Sequence, residues 1–157
     1  MPTPNTILLK HRGYRLEKVA AGTITPGDLL EVTSADKFQR HSSASLKAMP
    51  LFAVEAEGLT ADADVAGGID DNYVADDFVQ AEIMPCGAEV YAWVAAAAAA
   101  IVIGAPLESD GAGGLRAVQD FTDAEIDEIG GQPVAQAIEA VDNSAGSARA
   151  RIKVRVY

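Results

Sequence analysis

The chain has 157 residues, 49% hydrophobic and 22% charged, which suits one folded domain and excludes disorder throughout. Twelve basic and 23 acidic residues give a net charge of −11, and residues 51–130 carry seventeen of the acids against Arg116 alone. So acidic a body repels polyphosphate, which excludes general nucleic-acid binding, while the mildly basic ends, residues 1–50 and 131–157, suit a different partner.

The chain opens with "MPTPNTILLKHRGYRLEK". Pro2 and Pro4 favour extended backbone, and the apolar Ile7, Leu8 and Leu9 lead into Lys10, Arg12, Tyr14 and Arg15. One reading is an extended N-terminal arm over residues 1–20 that adds as a strand to a partner's sheet. Its basic groups would then meet an acidic surface. The other is that Ile7–Leu9 forms this protein's own edge strand. The segment lacks the order of a secretion signal, and Cys86 is the single cysteine. A reducing compartment and no intrachain disulfide are therefore expected.

From Ala21 onward the pattern is that of strands between turns. "ITPGDLLEV" (24–32) is a Pro-Gly-Asp turn feeding an apolar strand. "PLFAVEAEG" (50–58), "DFVQAEIMP" (77–85), "GLRAV" (114–118) and "PVAQAIEAV" (133–141) are short segments bounded by Gly, Pro, Asp or Asn. "SDGAGG" (109–114) reads as a hairpin loop. "ARARIKVRVY" (148–157) alternates, with Ile152, Val154 and Val156 inward and Arg151, Lys153 and Arg155 outward. A weak internal echo runs from "PGDLLEV" to "IGAPLES", aligning Gly27 with Gly104 and Leu30 with Leu107.

"VYAWVAAAAAAIVIGAPL" (90–107) passes eighteen residues without a charge. Gly104, Pro106 and the flanking Glu89 and Glu108 exclude a membrane span. Alanine favours helix, but "EVYAWV" alternates, "IVIG" is β-branched, and no cap precedes the alanines. The expectation is strand, alanine-filled connection, strand, with room for one helical turn in the alanines. Helix is predicted at about 122–129 in "FTDAEIDEIGG", where Thr122 caps, Glu125 completes a capping box and Gly130 or Gly131 stops the helix. A weaker helical turn is read around "SASLKAM" (43–49). The fold class is thus mostly β: a small barrel or sandwich, residues 21–157, with one short helix and an N-terminal arm.

Chemistry is sparse. In "DADVAGGIDDNYVADD" (62–77), Asp62, Asp64 and Gly67 fit half a calcium loop, but Tyr73 stands where a bidentate glutamate is needed. The stretch is read as an acidic loop and no metal is assigned. The glycine pairs form no phosphate cradle, and no nucleophile elbow or metal-spaced histidine pair is present. His41 in "FQRHSSAS" is read as a surface residue at a strand end. No catalytic residue and no cofactor are expected.

Taken in order, "AGTITPGDLLEV…KFQRH…LFAVEAE", "GAEVYAW", "IGAPLESDGAGGLRAV" and "PVAQAIEAVDNSAGSARARIKVRVY" resemble the head decoration, or capsid cement, proteins of tailed bacteriophages over about Ala21 to Tyr157. The alanine run departs from that family's shorter polar turn. The resemblance implies a β-rich, non-enzymatic protein, made in the host cytoplasm and seated on the outer surface of the virion. Its implied partners are the major capsid protein and further copies of itself, as a homotrimer, with neither nucleic acid nor membrane. The arm residues Ile7, Leu8, Leu9, Lys10, Arg12, Tyr14 and Arg15 are the expected contacts with the capsid or a neighbouring subunit. The alternative is another virion structural module, or an adhesin-type β module of a tail that binds glycans, with a small hydrolase far behind.

Overall fold

The computed structural model describes residues 3–44, 46–56, 68–118 and 132–157. Every regular element among them is a strand: β1 (Leu8–Lys10), β2 (Tyr14–Val19), β3 (Leu30–Val32), β4 (Phe38–Arg40), β5 (Leu51–Ala53), β6 (Phe78–Ile83), β7 (Glu89–Val94), β8 (Pro106–Ser109), β9 (Leu115–Ala117), β10 (Ala135–Ala137) and β11 (Ala150–Val156). The helix expected at 122–129 lies outside the described residues. Around Ser43–Met49 no helix is formed among the described residues, which leave out Ser45.

Five strands close a barrel. β7 pairs with β11 from Ala150↔Val94 to Arg155↔Glu89, then come β10, β8 and β9, and β9 returns to β7 in parallel at Val94↔Leu115. Alternation explains the interior. Val90, Ala92 and Val94 of β7 and Ile152, Val154 and Val156 of β11 are buried, while Arg151, Lys153 and Arg155 stand outside. Ala92, Ala135 and Ala137 are wholly buried, because a five-stranded barrel is too narrow to fill with large side chains from every strand. Burying each Ile or Val contributes roughly 1.5–3 kcal/mol.

A second sheet, β2-β6-β5, and the β3–β4 hairpin enclose another core of Ile24, Leu30, Phe38, Leu51, Tyr73, Val79 and Ala81. Barrel and second sheet meet at the Pro26-Gly27-Asp28 turn. The Gly27 N–H donates to the Ala53 carbonyl (2.8 Å), and the Gly27 carbonyl accepts from the Trp93 N–H (3.3 Å). Gly27 has φ 92°, and a Cβ there would sit 2.9 Å from the Tyr91 carbonyl oxygen, so only glycine fits.

The alanine run is connection, as expected, and contains no helical turn. β7 ends at Val94, the chain turns at Ala96–Ala97, and Ala97 takes φ 52°. The backbone groups a helix would satisfy internally go to the 143–146 loop instead. Asn143 Nδ2 donates to the Ala95 carbonyl (2.9 Å), and the Ala97 N–H donates to that of Gly146 (3.0 Å). Ile101 then bridges Val141, leaving Val102 and Ile103 exposed. Among the described residues no helix is long and apolar enough to cross a membrane.

Of the two readings of the N-terminal segment, the structure shows the protein's own edge strand rather than an arm separate from the barrel. β1 pairs with β7, β2 pairs along its length with β6, and Ile7 is completely buried in the barrel core. Three apolar residues beside an unfilled sheet edge gain more from pairing and burial at home than from solvent.

Candidate partner-binding surface

The N-terminal residues divide into an anchored part and a presented part. The Ile7 carbonyl accepts from the Tyr91 N–H (2.9 Å), and its N–H donates to Glu55 Oε2 (3.1 Å). The Thr6 hydroxyl donates to the other oxygen of the same carboxylate. Leu8 and Leu9, both half-buried, continue along the edge of β7, so Ile7, Leu8 and Leu9 serve chiefly as cement for the strand itself.

What is presented is the turn after β1. Lys10, His11 and Arg12 are exposed, and His11 adopts φ 62°. Tyr14 is 70% exposed. Lys10, His11 and Arg12, with Leu8, Leu9, Arg15 and the wall at Val54–Glu55, line a cleft of about 180 Å³. Behind it, buried Glu82 receives the Gly13 N–H (2.8 Å) and pairs with Arg15 Nη2 (3.2 Å), which sets the start of β2. Gly13 is needed there, since a Cβ would fall 2.0 Å from the Ile83 carbonyl oxygen.

Sheet order then does what sequence distance hides. β1, β7 and β11 are neighbours, so the basic N-terminal and C-terminal ends lie side by side. Across that face runs a row in register: Lys10 opposite Glu89, and Glu89 opposite Arg155. Glu89 sits 2.9 Å from Arg155 and 3.9 Å from Lys10. The Arg155 hydrogen bond, with Lys10 and His11 nearby, holds the Glu89 carboxyl below the usual carboxylate range.

Further along the same face is a cluster that sequence reasoning missed. The guanidiniums of Arg151 and Arg149 lie 3.9 and 4.8 Å from the centre of the Trp93 ring. Arg151 reaches Asp70 (2.6 Å) and the Pro26 carbonyl (3.1 Å), which also accepts the Trp93 indole N–H (3.0 Å). Asp28, wholly buried, joins Arg149 (2.5 Å), Arg40 (2.6 Å) and the Thr25 N–H (2.7 Å). The pairing of Trp93 with an outward arginine 58 residues further on was the only available signal, and it needed the β7–β11 register to be read.

A third group has the residue types of a hydrolytic triad. His41 Nδ1 is 2.7 Å from Ser109 Oγ, and His41 Nε2 is 3.8 Å from Glu31 Oε2. Ser109 is wholly buried and its hydroxyl also accepts the Gly111 N–H (3.1 Å), so no substrate reaches it; 3.8 Å is too long for a hydrogen bond. His41 is buried rather than superficial, correcting that expectation, because its ring ties the β3–β4 hairpin to β8. Burial raises the Glu31 carboxyl, but bonds from Gln39 and Ser42 and the nearby His41 outweigh it and leave it lowered.

Asp62, Asp64 and Gly67 of the acidic stretch lie outside the described residues; in the rest of it, Asp70 pairs with Arg151, Asp76 with Lys37, and Asp71 and Asp77 accept backbone N–H groups of Gly68 and Val74. Among the described residues no group of three metal-ligating side chains converges. No family model matches the chain, and no curated protein matches it.

Proposed function

We propose that this protein is a non-enzymatic decoration protein of a tailed-phage head, binding the outside of the capsid as a homotrimer and stabilising the major capsid protein lattice. The observation that carries the reading is the order of the resembling motifs. "PGDLLEV", "GAEVYAW", "GAPLESDGAGGLR", "AQAIEAV" and "ARIKVRVY" supply β3, β7, the β8–β9 hairpin, β10 and β11, all but the first in the closed barrel. The presented turn supports it further. Lys10 and Arg12 with Tyr14 offer two cations and an exposed aromatic on an otherwise acidic protein, which suits an acidic protein surface. Binding only the expanded lattice stabilises it by mass action, and many copies add through avidity.

The test is a binding assay on expanded heads with the full chain. Wild type is expected to bind them and raise their disruption temperature. Lys10→Gln with Arg12→Gln is expected to lose most of that binding while the melting temperature of the free protein moves little, since both residues are exposed and an exposed pair such as Lys10–Glu89 contributes little. Undiminished binding by the double variant places the contact elsewhere, and no binding by wild type overturns the reading. A second reading, a glycan-binding adhesin module, draws on the exposed aromatics Tyr14 and Phe78, 70% and 73% accessible. A glycan array with Tyr14→Ala and Phe78→Ala separates it from the first.

A further inference from the structure

The barrel closes without β1. β9 returns to β7 at Leu115, so the ring of five strands is complete, and β1 occupies only the remaining stretch of that edge. The stretch is a slot with its own chemistry. It offers a backbone donor at Tyr91, a carboxylate at Glu55 that takes both the Thr6 hydroxyl and the Ile7 N–H, and a fully dry place for the Ile7 side chain. An outer carboxylate, Glu89, faces Lys10. Left empty, the slot exposes core and unpaired backbone; it demands an extended apolar strand.

The connection that holds β1 in its own slot is short and strained. Three residues, His11 to Gly13, join β1 to β2, and His11 has φ 62°, a left-handed conformation that a non-glycine residue adopts at a cost. Gly13 is fixed by Glu82 and by its close approach to Ile83, which confines any pivot to His11 and Arg12. Short hinges under strain favour exchange of the element they tether. Opening the turn releases the strain, and every slot contact re-forms with another copy. The balance is then set by concentration.

We propose that the β7 edge is a strand-docking slot filled in trans as well as in cis: residues 6–10 of one copy seat on β7 of another, giving strand-exchanged oligomers. The occupant is a second copy of this chain, because its own β1 is the segment already shown to match the slot residue by residue. The inference rests on strand pairing within this protein and not on the capsid reading, so failure of either leaves the other standing.

The experiment uses the full chain carrying Cys86→Ser, Lys10→Cys and Glu89→Cys, the last two being partners in register on the outer face. The protein is incubated from micromolar to millimolar concentration, sized by light scattering, then oxidised and run on non-reducing gels. Oligomers whose cysteines link between chains are expected, with a fraction that rises with concentration. His11→Gly, which relieves the left-handed strain, is expected to lower the exchanged fraction about fivefold. Deleting Arg12, which tightens the hinge, is expected to raise it. Monomers with intrachain links at every concentration overturn the proposal. So do oligomers whose links are all intrachain, since those associate through another surface.

Discussion

Asp28 is a polar position where removing one side chain should cost several kcal/mol. Its carboxylate is wholly buried and satisfies three partners: Arg40 Nε, Arg149 Nη1 and the Thr25 N–H. Asp28→Ala leaves a buried donor at Thr25 unsatisfied and two guanidiniums without their shared counter-charge. Breaking a buried ion pair one-sidedly costs about 3–5 kcal/mol. Arg40 and Arg149 keep 33% and 23% of their side chains in contact with water and can rehydrate, so the low end applies, about 3 kcal/mol. In a chain of this length that lowers the melting temperature by roughly 6–12 °C. Asp28→Asn retains an acceptor for Thr25 and should lose about half as much. Calorimetry together with urea melts measures both variants. A loss under about 1 kcal/mol for Asp28→Ala, the level of a surface substitution, refutes the argument that this carboxylate ties the turn to the barrel.

Two further predictions concern the same junction and the second core. Gly27→Ala combines a left-handed φ of 92° with a Cβ 2.9 Å from the Tyr91 carbonyl, so it should destabilise by about 2–4 kcal/mol in a denaturant melt, whereas Gly22→Ala, with open space around it, should be nearly neutral. Tyr73 is wholly buried with its hydroxyl donating to the Val54 carbonyl (2.7 Å), and burial pushes its pKa up to about 12. In the unfolded chain it ionises near 10, so the unfolded state releases the proton first, and stability present below pH 10 should fall as pH rises toward 12. Ultraviolet titration should show Tyr73 ionising late and together with loss of structure, Tyr91 also being raised by burial. Four tyrosines titrating normally in a folded protein would contradict this.

Much of the candidate surface was legible only in pieces. The apolar-basic order of Ile7 to Arg15 marked the segment, and both readings of it were open, because pairing to a partner's sheet and pairing to one's own require the same residues. The structure decides by supplying a vacant stretch of β7 of the right length and polarity. The Trp93–Arg151 contact and the Asp28 network join residues 58 and 121 positions apart, and no local pattern encodes such a meeting. His41 was misplaced for a related reason. A lone histidine near a strand end carries no local sign of whether a serine from another hairpin will cover it.

What the amino-acid sequence determined by itself is local: strands where β-branched and aromatic residues alternate, turns where Pro-Gly-Asp and Asp-Gly stand, and the inward face of β11 from period two alone. These follow from steric and hydrogen-bonding preferences of a few neighbouring residues, which act before any long-range contact forms. The flanking residues already marked the alanines as connection; only the tertiary structure decided where that connection is pinned. Alanine's intrinsic preference is worth tenths of a kcal/mol per residue, less than what backbone pairing with Gly146, Asn143 and Val141 supplies once β7 and β11 are in place. It likewise decided that the two basic ends would share one face, because the order β1-β7-β11 depends on which edges remain unfilled when the barrel closes.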